Sequence, residues 1–425
     1  MRTPVVLLGN FEVEHEWAAG EIGLPRVGGA PRSAVVQRMD ELAVLLGTAH
    51  DAVLLKHEPD GEYLAYLAEF GFDVPRILTP RTVEPARTLT EDVLSDVDLV
   101  TTLAGLTPRG YRLAPHGVSA PEEWLSADTG IPLAAPPAAV CKRVNSKVYS
   151  RQLATAAGLA QPAGRACETL DDVRAAFDWA RTVGGPVVVK DAYGVSGKGL
   201  LVVHDSRRLD QLWRLIARSC ERAGHDRVGL VVEAWLDRRL DLNYQFTLDR
   251  SGAVAFDVVK EAITADGVHL GHRFPAEDYR ARLAHVASRI GPRLAADGYF
   301  GVVGVDAMVD TAGRLYPIVE INARNNMSTY QAALPGRVIR PGLVGLARHY
   351  PVEPPAPLRF GTLRRILGDA LLRPGGRRGV FVSAHAPVAA GRLYAVLVAE
   401  SRPDLDALDA CVTERVGRLA LEVAA

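Results

Sequence analysis

A strand that ends in lysine, then a glycine loop, then a second strand constrains this chain more than any other feature. The segment reads Pro186-Val-Val-Val-Lys190-Asp-Ala-Tyr-Gly194-Val-Ser196-Gly197-Lys198-Gly199-Leu-Leu-Val-Val-His204. Three glycines fall within six positions, so backbone N–H groups can turn toward an anion. Lys190 and Lys198 add positive charge and Ser196 adds a hydroxyl, which together suit a polyphosphate. A Walker loop needs a glycine five positions ahead of Gly197, and alanine stands there. A Rossmann loop needs a helix immediately afterwards, and Leu200–Val203 is strand-like. A hairpin whose tip folds over a nucleotide remains, beside the plainer reading of a Gly-rich turn.

The chain has the means to build several cores around that hairpin. Its 425 residues suggest roughly two to four domains. Apolar residues make up 48% and charged residues 23%, which excludes a disordered or collagen-like chain. Basic residues number 49 and acidic ones 50, so no bulk grip on nucleic acid or anionic membrane is expected. Cys141, Cys167, Cys220 and Cys411 are far apart and form no C-x-x-C pattern. The apolar start Val5–Leu8 is too short for a signal peptide, and no apolar run approaches the ~20 residues of a membrane span. A soluble, reduced, cytoplasmic protein is the expectation. Only six cations are lysine, and arginine supplies the other 43. Where arginine is the default cation, a lysine points to a need for a compact point charge.

Residues 1–118 alternate short apolar runs and helical patterns. Val5–Leu8, Ala52–Leu55 and Asp98–Leu103 read as strands, Ser33–Leu46 and Glu62–Phe70 as helices. This βαβα order predicts a small Rossmann-like parallel sheet. The loop Gly9–Glu12 lacks G-x-G-x-x-G and reads as a strand end facing the main site. The Pro- and Ala-rich stretch 119–142 reads as a linker. Residues 143–350 carry most of the strands, with long helices at Ser206–Ala223 and Glu277–Ala296. Residues 325–348 read as helical. A further α+β unit is expected over 351–425, with a helix at Thr362–Leu372, a hairpin from Val380–Ala384 to Arg392–Val398 and a last helix at Leu405–Leu419.

Two further motifs carry chemistry. Val231-Val-Glu233-Ala-Trp235-Leu236 followed by Asp241 is a strand that ends in an acid. Its carboxylate could accept from an adenine amino group, the next N–H could donate to the ring, and Asp241 could bind ribose. An ordinary strand-end acid is the alternative. The second motif is Asp306 followed by Glu320-Ile-Asn322, with a turn at Asp310–Gly313 between them. That hairpin brings Asp306 back toward Glu320, and Glu320 and Asn322 are two apart, so they share a face. Three oxygen donors without His or Cys suit Mg²⁺. A solvated polar strand face is the alternative.

In this order the pieces resemble the ATP-grasp superfamily over roughly residues 140–345, and within it the amino-acid and peptide ligases. The resemblance implies an α/β (α+β) ATP-grasp fold, with a small lid at about 146–236 and a large subdomain at about 237–350. It implies that Asp306, Glu320 and Asn322 hold two Mg²⁺ ions, with Mn²⁺ as the alternative. It makes Lys147 and Lys190 the nucleotide-phosphate lysines. Gly194, Ser196, Gly197, Lys198 and Gly199 become the mobile phosphate loop. Glu233 and the backbone of Trp235 and Leu236 become the adenine hinge, Asp241 the ribose acid, and Lys260 a γ-phosphate lysine. Arg324 is similar to the arginine that touches an acyl phosphate or substrate carboxylate in such ligases, a role that suits its planar fork. Arg273, in the loop His269-Leu-Gly-His272-Arg273 after Lys260, is expected to close on the same anions. One extra residue separates Leu236 from Asp241 relative to the usual hinge. Arg324 departs from the D-alanine ligase pattern. The N-terminal segment resembles the pre-ATP-grasp ligases of actinobacterial natural-product pathways.

That resemblance implies an ATP- and Mg²⁺-dependent carboxylate–amine ligase that passes through an acyl phosphate and releases ADP and phosphate. The product would be a peptide or γ-glutamyl-type amide. A ligase loading a carrier-protein thiol and a non-catalytic ATP-binding regulator are the alternatives. Amino acids or short peptides are the expected partners, without nucleic acid or membrane. A homodimer and a carrier-protein partner stay open. The run Arg373–Arg378 reads as a solvated turn or as a dock for an acidic carrier.

Overall fold

The run Val5–Leu8 is apolar at every position, as expected for a strand buried on both faces of a parallel sheet. It forms β1 in a computed structural model that describes residues 2–25, 33–194, 199–265, 268–353 and 357–418. Ser196, Gly197 and Lys198 lie outside the described residues, as does the side chain of His269. Three sheets organise the chain.

The first sheet has the order β3-β2-β1-β4, with β2 at Ala52–Leu54, β3 at Arg76–Leu78 and β4 at Arg112–Pro115. All its pairings are parallel, as the βαβα reading predicts. Residues 98–103, expected as a strand, instead lie in the helix Val97–Ala104. Asp96 caps it by accepting from the Leu99 N–H, and Leu99 and Leu103 are its buried residues, one helical turn apart. A short segment with Leu99, Val100 and Leu103 as its apolar residues fits either period, and the cap decides. The expected linker 119–142 is also structured: helices span Ala120–Thr129 and Ala138–Val144. Pro121 and Pro137 sit at or just before their first turns, where a missing N–H costs nothing.

The second sheet is antiparallel, order β5-β8-β6-β7, with β5 at Gly164–Thr169, β6 at Val187–Asp191, β7 at Leu200–Val203 and β8 at Arg227–Ala234. Helices Leu170–Thr182 and Ser206–Ala223 share its core through Phe177, Leu212 and Ile216. The β6–β7 hairpin is the lysine–glycine segment.

The third sheet has eight strands in the order β13-β12-β9-β10-β11-β14-β16-β15. They are β9 Arg238–Leu248, β10 Val254–Ala265, β11 Val268–Phe274, β12 Gly301–Asp310, β13 Leu315–Asn322, β14 Val344–Pro351, β15 Gly379–Ala384 and β16 Arg392–Ala399. One expectation is corrected here. Residues 325–348 hold only the short helix Met327–Gln331 before β14 begins, because two Pro-Gly pairs, at 335–336 and 341–342, break the helix. The expected C-terminal hairpin is present as β15 and β16, and β16 also pairs with β14, which extends the large sheet. The N-terminal domain packs on that extension: the Tyr63 hydroxyl donates to Ser383 O at 2.8 Å, and both regions share one core with Phe360 and Phe381.

Candidate active site

Four polar side chains stand in one row across four adjacent strands. Lys260 on β10 lies opposite Asn243 on β9, Asn243 opposite Asp306 on β12, and Asp306 opposite Glu320 on β13. Directly opposed residues share a sheet face. The Asn243 amide donates to Asp306 Oδ1 at 2.8 Å and the Asn322 amide to Asp306 Oδ2 at 3.2 Å. Burial pushes the Asp306 carboxyl up to about 6, and the Glu320 charge adds to the effect. Two carboxylates that press on one another in this way, beside an asparagine amide, fit a hard divalent cation such as Mg²⁺. Among the described residues no group of three or more His, Cys, Asp or Glu side chains could hold a metal.

Lys147 joins this row to the glycine loop. Its ammonium donates to Glu320 Oε1 at 2.6 Å and to Gly194 O at 2.8 Å. It opens the helix Lys147–Ala156, capped by Ser146. At the base of the loop the Asp191 N–H donates to Gly199 O at 2.8 Å. Gly199 has φ +88°, a conformation that side chains rarely adopt. Asp191 in turn accepts from Leu24 of the N-terminal domain at 2.6 Å.

Lys260 is buried at the other end of the row. Its ammonium donates to Gln331 Oε1 at 2.7 Å and lies 5.2 Å from the centre of the Phe274 ring. Burial pulls it down to about 7. The helix that supplies Gln331 also supplies Ser328, whose hydroxyl donates to Asn243 Oδ1 at 2.7 Å. That bond turns the Asn243 amide toward Asp306. Asn326 caps this helix, and a Cβ on Gly304 would come within 2.4 Å of the Asn326 amide. Only glycine allows β12 to approach so closely.

Arg324 closes the site from the side of the first domain. It donates to Asn322 Oδ1 at 3.0 Å and to Asn325 O at 3.1 Å, and pairs with Glu14. Its Nε is buried without a hydrogen-bond partner among the described residues. Glu14 lies in the helix Val13–Ala18, just after the Gly9–Glu12 loop. Asn10 of that loop accepts from the His116 N–H at 2.9 Å, and His116 O accepts from the Asn325 N–H at 2.9 Å. The strand-end loop thus faces the main site, as its position implied.

On the lid, Glu233 accepts from Lys190 and from Arg151, both at 2.6 Å. The Trp235 N–H donates to Pro186 O at 2.9 Å. Leu236 follows it directly. Asp241, two residues before Asn243 on β9, accepts from Thr264 at 2.8 Å and from Arg238 at 3.3 Å.

Comparison with known proteins bears on this arrangement. The family described as "Pre ATP-grasp domain" matches residues 39–131, and "Carbamoyl-phosphate synthase L chain, ATP binding domain" matches residues 146–333. The chain carries a pre-ATP-grasp domain and an ATP-grasp domain. Among its relatives, the butirosin acyl-carrier-protein–L-glutamate ligase of Niallia circulans is 28% identical over 318 residues, covering 72% of this chain and 68% of that protein. Mitochondrial pyruvate carboxylase of Homo sapiens is 26% identical over 205 residues, covering 46% of this chain and 17% of that protein. Biotin carboxylase of Campylobacter jejuni, solved as a β-γ-ATP complex, shares the fold with a TM-score of 0.57 at 15% identity, over 96% of this chain and 90% of that one.

One site expectation for this ATP-grasp chain is corrected. Arg273 does not face the row. It lies on β11, a strand rather than a loop, opposite Glu261. Glu261 follows Lys260, so its side chain leaves the other face. There Arg273 pairs with Asp406 of the C-terminal helix Arg402–Gly417 at 2.7 Å. The motif reading also missed Asn243, Ser328, Gln331, Arg151 and Glu14. Asn243 alone had a local signal, since it sits two residues beyond Asp241 and so shares its strand face. No helix among the described residues is long and apolar enough to cross a membrane.

Proposed function

We propose that this ATP-grasp ligase joins an amino-acid carboxylate to an amine through an acyl phosphate. The register row from Lys260 to Glu320, with Arg324 hydrogen-bonded to its Asn322 flank, carries the reading. On this reading Lys260 serves as a γ-phosphate cation, the acids of the row as metal ligands and Arg324 as a carboxylate-binding fork. Lys147 and Lys190 hold the nucleotide phosphates, Glu233 and the Trp235–Leu236 backbone face the adenine, and Asp241 faces the ribose. Gly194 to Gly199, with Ser196, Gly197 and Lys198, cover the phosphates. Asp306, Glu320 and Asn322 hold Mg²⁺, which when bound neutralises charge on the transferred phosphoryl oxygens.

A substrate carboxylate oxygen attacks the γ-phosphorus, the bond to the bridging oxygen breaks, and ADP leaves. The amine nitrogen then attacks the acyl carbon, the C–O bond to phosphate breaks, and the ammonium proton passes to solvent. Arg324 orients the carboxylate and balances its charge. Lys260 holds the γ-phosphoryl group before and after transfer. Closing the lid shields the acyl phosphate from water.

The test is nucleotide analysis during turnover with Mg²⁺, ATP and pooled amino acids, followed by mass spectrometry. ADP, phosphate and a new amide are expected. AMP and pyrophosphate would overturn the reading. A second reading, transfer to a carrier-protein thiol, is supported by the relative that acts on a butirosin acyl-carrier protein. A thioester-linked product on a carrier protein, with silent amine pools, would select it.

A further inference from the structure

The face that carries Lys260 runs on past the catalytic row. Ala262 on β10, His272 on β11 and Ala347 on β14 lie opposite one another. Ala262 is two residues from Lys260, so Ala347 shares its face. Over this stretch the sheet borders a partly open cavity of about 160 Å³. Met39 and Leu42 of the N-terminal domain roof it, Ala347 and Tyr394 of the C-terminal strands floor it, and Gln331 forms its wall toward Lys260. Its remaining lining is mostly aliphatic but includes Tyr330, His349, Ser383 and Arg392, and no Asp or Glu among the described residues lines it. Arg348 reaches its edge, but the guanidinium turns to the opposite face and pairs with Asp409.

We infer that this cavity receives the small apolar side chain of one of the two joined amino acids. The inference rests on the ligase reading above. Three observations carry it. Gln331 is shared between the cavity and Lys260, so a group seated there has its polar end beside the reacting phosphoryl group. The volume matches a cavity of about 150 Å³ that takes up benzene, so a side chain of up to about six carbons fits. A wall without carboxylates offers nothing to a lysine-like side chain, whose burial without a partner is costly. The pocket is assembled only where the N-terminal domain meets the C-terminal hairpin. That gives both appended parts a share in substrate choice.

The test pairs substrate profiling with variants of the full chain. ADP release is measured with apolar, acidic and basic amino acids, each paired in turn with the others. Apolar members are expected to be required. Ala347→Leu, which fills the cavity, should raise their KM about tenfold or more while the KM for ATP holds. Met39→Ala, which enlarges the cavity, should shift preference to bulkier side chains and serves if Ala347→Leu does not fold. ADP release from charged pairs alone would overturn the pocket and leave the ligase reading standing. AMP as product would overturn the ligase reading. Calorimetry with leucine and no nucleotide reads the pocket by itself. Binding that Ala347→Leu abolishes supports it, and no binding by the unmodified protein overturns it.

Discussion

Glu14, in the first helix of the N-terminal domain, pairs with Arg324, two residues past Asn322 of the candidate metal site. Both side chains are largely withdrawn from water, at 15% and 14% exposure. A charge left there without its partner is costly. Combining Glu14→Gln with Arg324→Gln in a double-mutant cycle should show coupling of about 0.5–3 kcal/mol in urea unfolding. Additive effects would mean that the domains meet without energetic help from this pair.

Asn243 is not itself an expected metal ligand, yet its amide donates to Asp306 and aims that carboxylate. Asn243→Leu should cut Mg²⁺ affinity about 10–100-fold, as loss of a ligand's supporting hydrogen bond commonly does. Glu320→Ala and Asn322→Ala should remove turnover outright with far-UV circular dichroism unchanged. Mn²⁺ binding followed by electron paramagnetic resonance separates the two effects. Undiminished metal binding in Asn243→Leu would sink the role given to that hydrogen bond.

Removal of Glu233 leaves Lys190 and Arg151 facing one another in a mostly buried site. Glu233→Ala should destabilise the protein by about 3 kcal/mol or more. Sulfate or tripolyphosphate should restore thermal stability better than chloride at equal ionic strength, because a multivalent anion can replace the lost carboxylate. Equal recovery in all three salts would count against an anion site at Lys190.

Lys260 gives a pH signature. Its folded-state value is lowered to about 7 from 10.5 by burial. Between those values the unfolded chain binds more protons than the folded one, so this group's contribution to stability rises with pH. Below about 7 the burial penalty is fully present. The stability difference between the unmodified protein and Lys260→Met should therefore move toward the unmodified protein from pH 7 to pH 10. A flat difference in denaturant titrations would show that Lys260 is not desolvated.

The parts of the site that were legible are those set by short-range geometry. Glu320 and Asn322 share a face because a strand alternates every residue, and the lysine–glycine hairpin declares itself by composition. Asn243 and Asp306 are 63 positions apart, and only the pairing of β9 with β12 makes them neighbours. Arg273 was misread for a related reason. Which face it takes depends on where β10 turns back into β11, and no local spacing encodes that register. Residues 98–103 show the same ambiguity for secondary structure. Their apolar residues suit a strand until the Asp96 cap is counted.

Three of the cations proposed for the nucleotide and its acyl partner are already held by an acid of the protein: Lys147 by Glu320, Lys190 by Glu233 and Arg324 by Glu14. Free orthophosphate arriving at the resting cleft meets guarded charge and gains little by displacing one guard. A metal-bound triphosphate engages several of these cations at once and offers a divalent ion to the released Glu320. On the proposed reading, the resting ion pairs would act as a threshold that admits a long, highly charged ligand and turns away its own hydrolysis product.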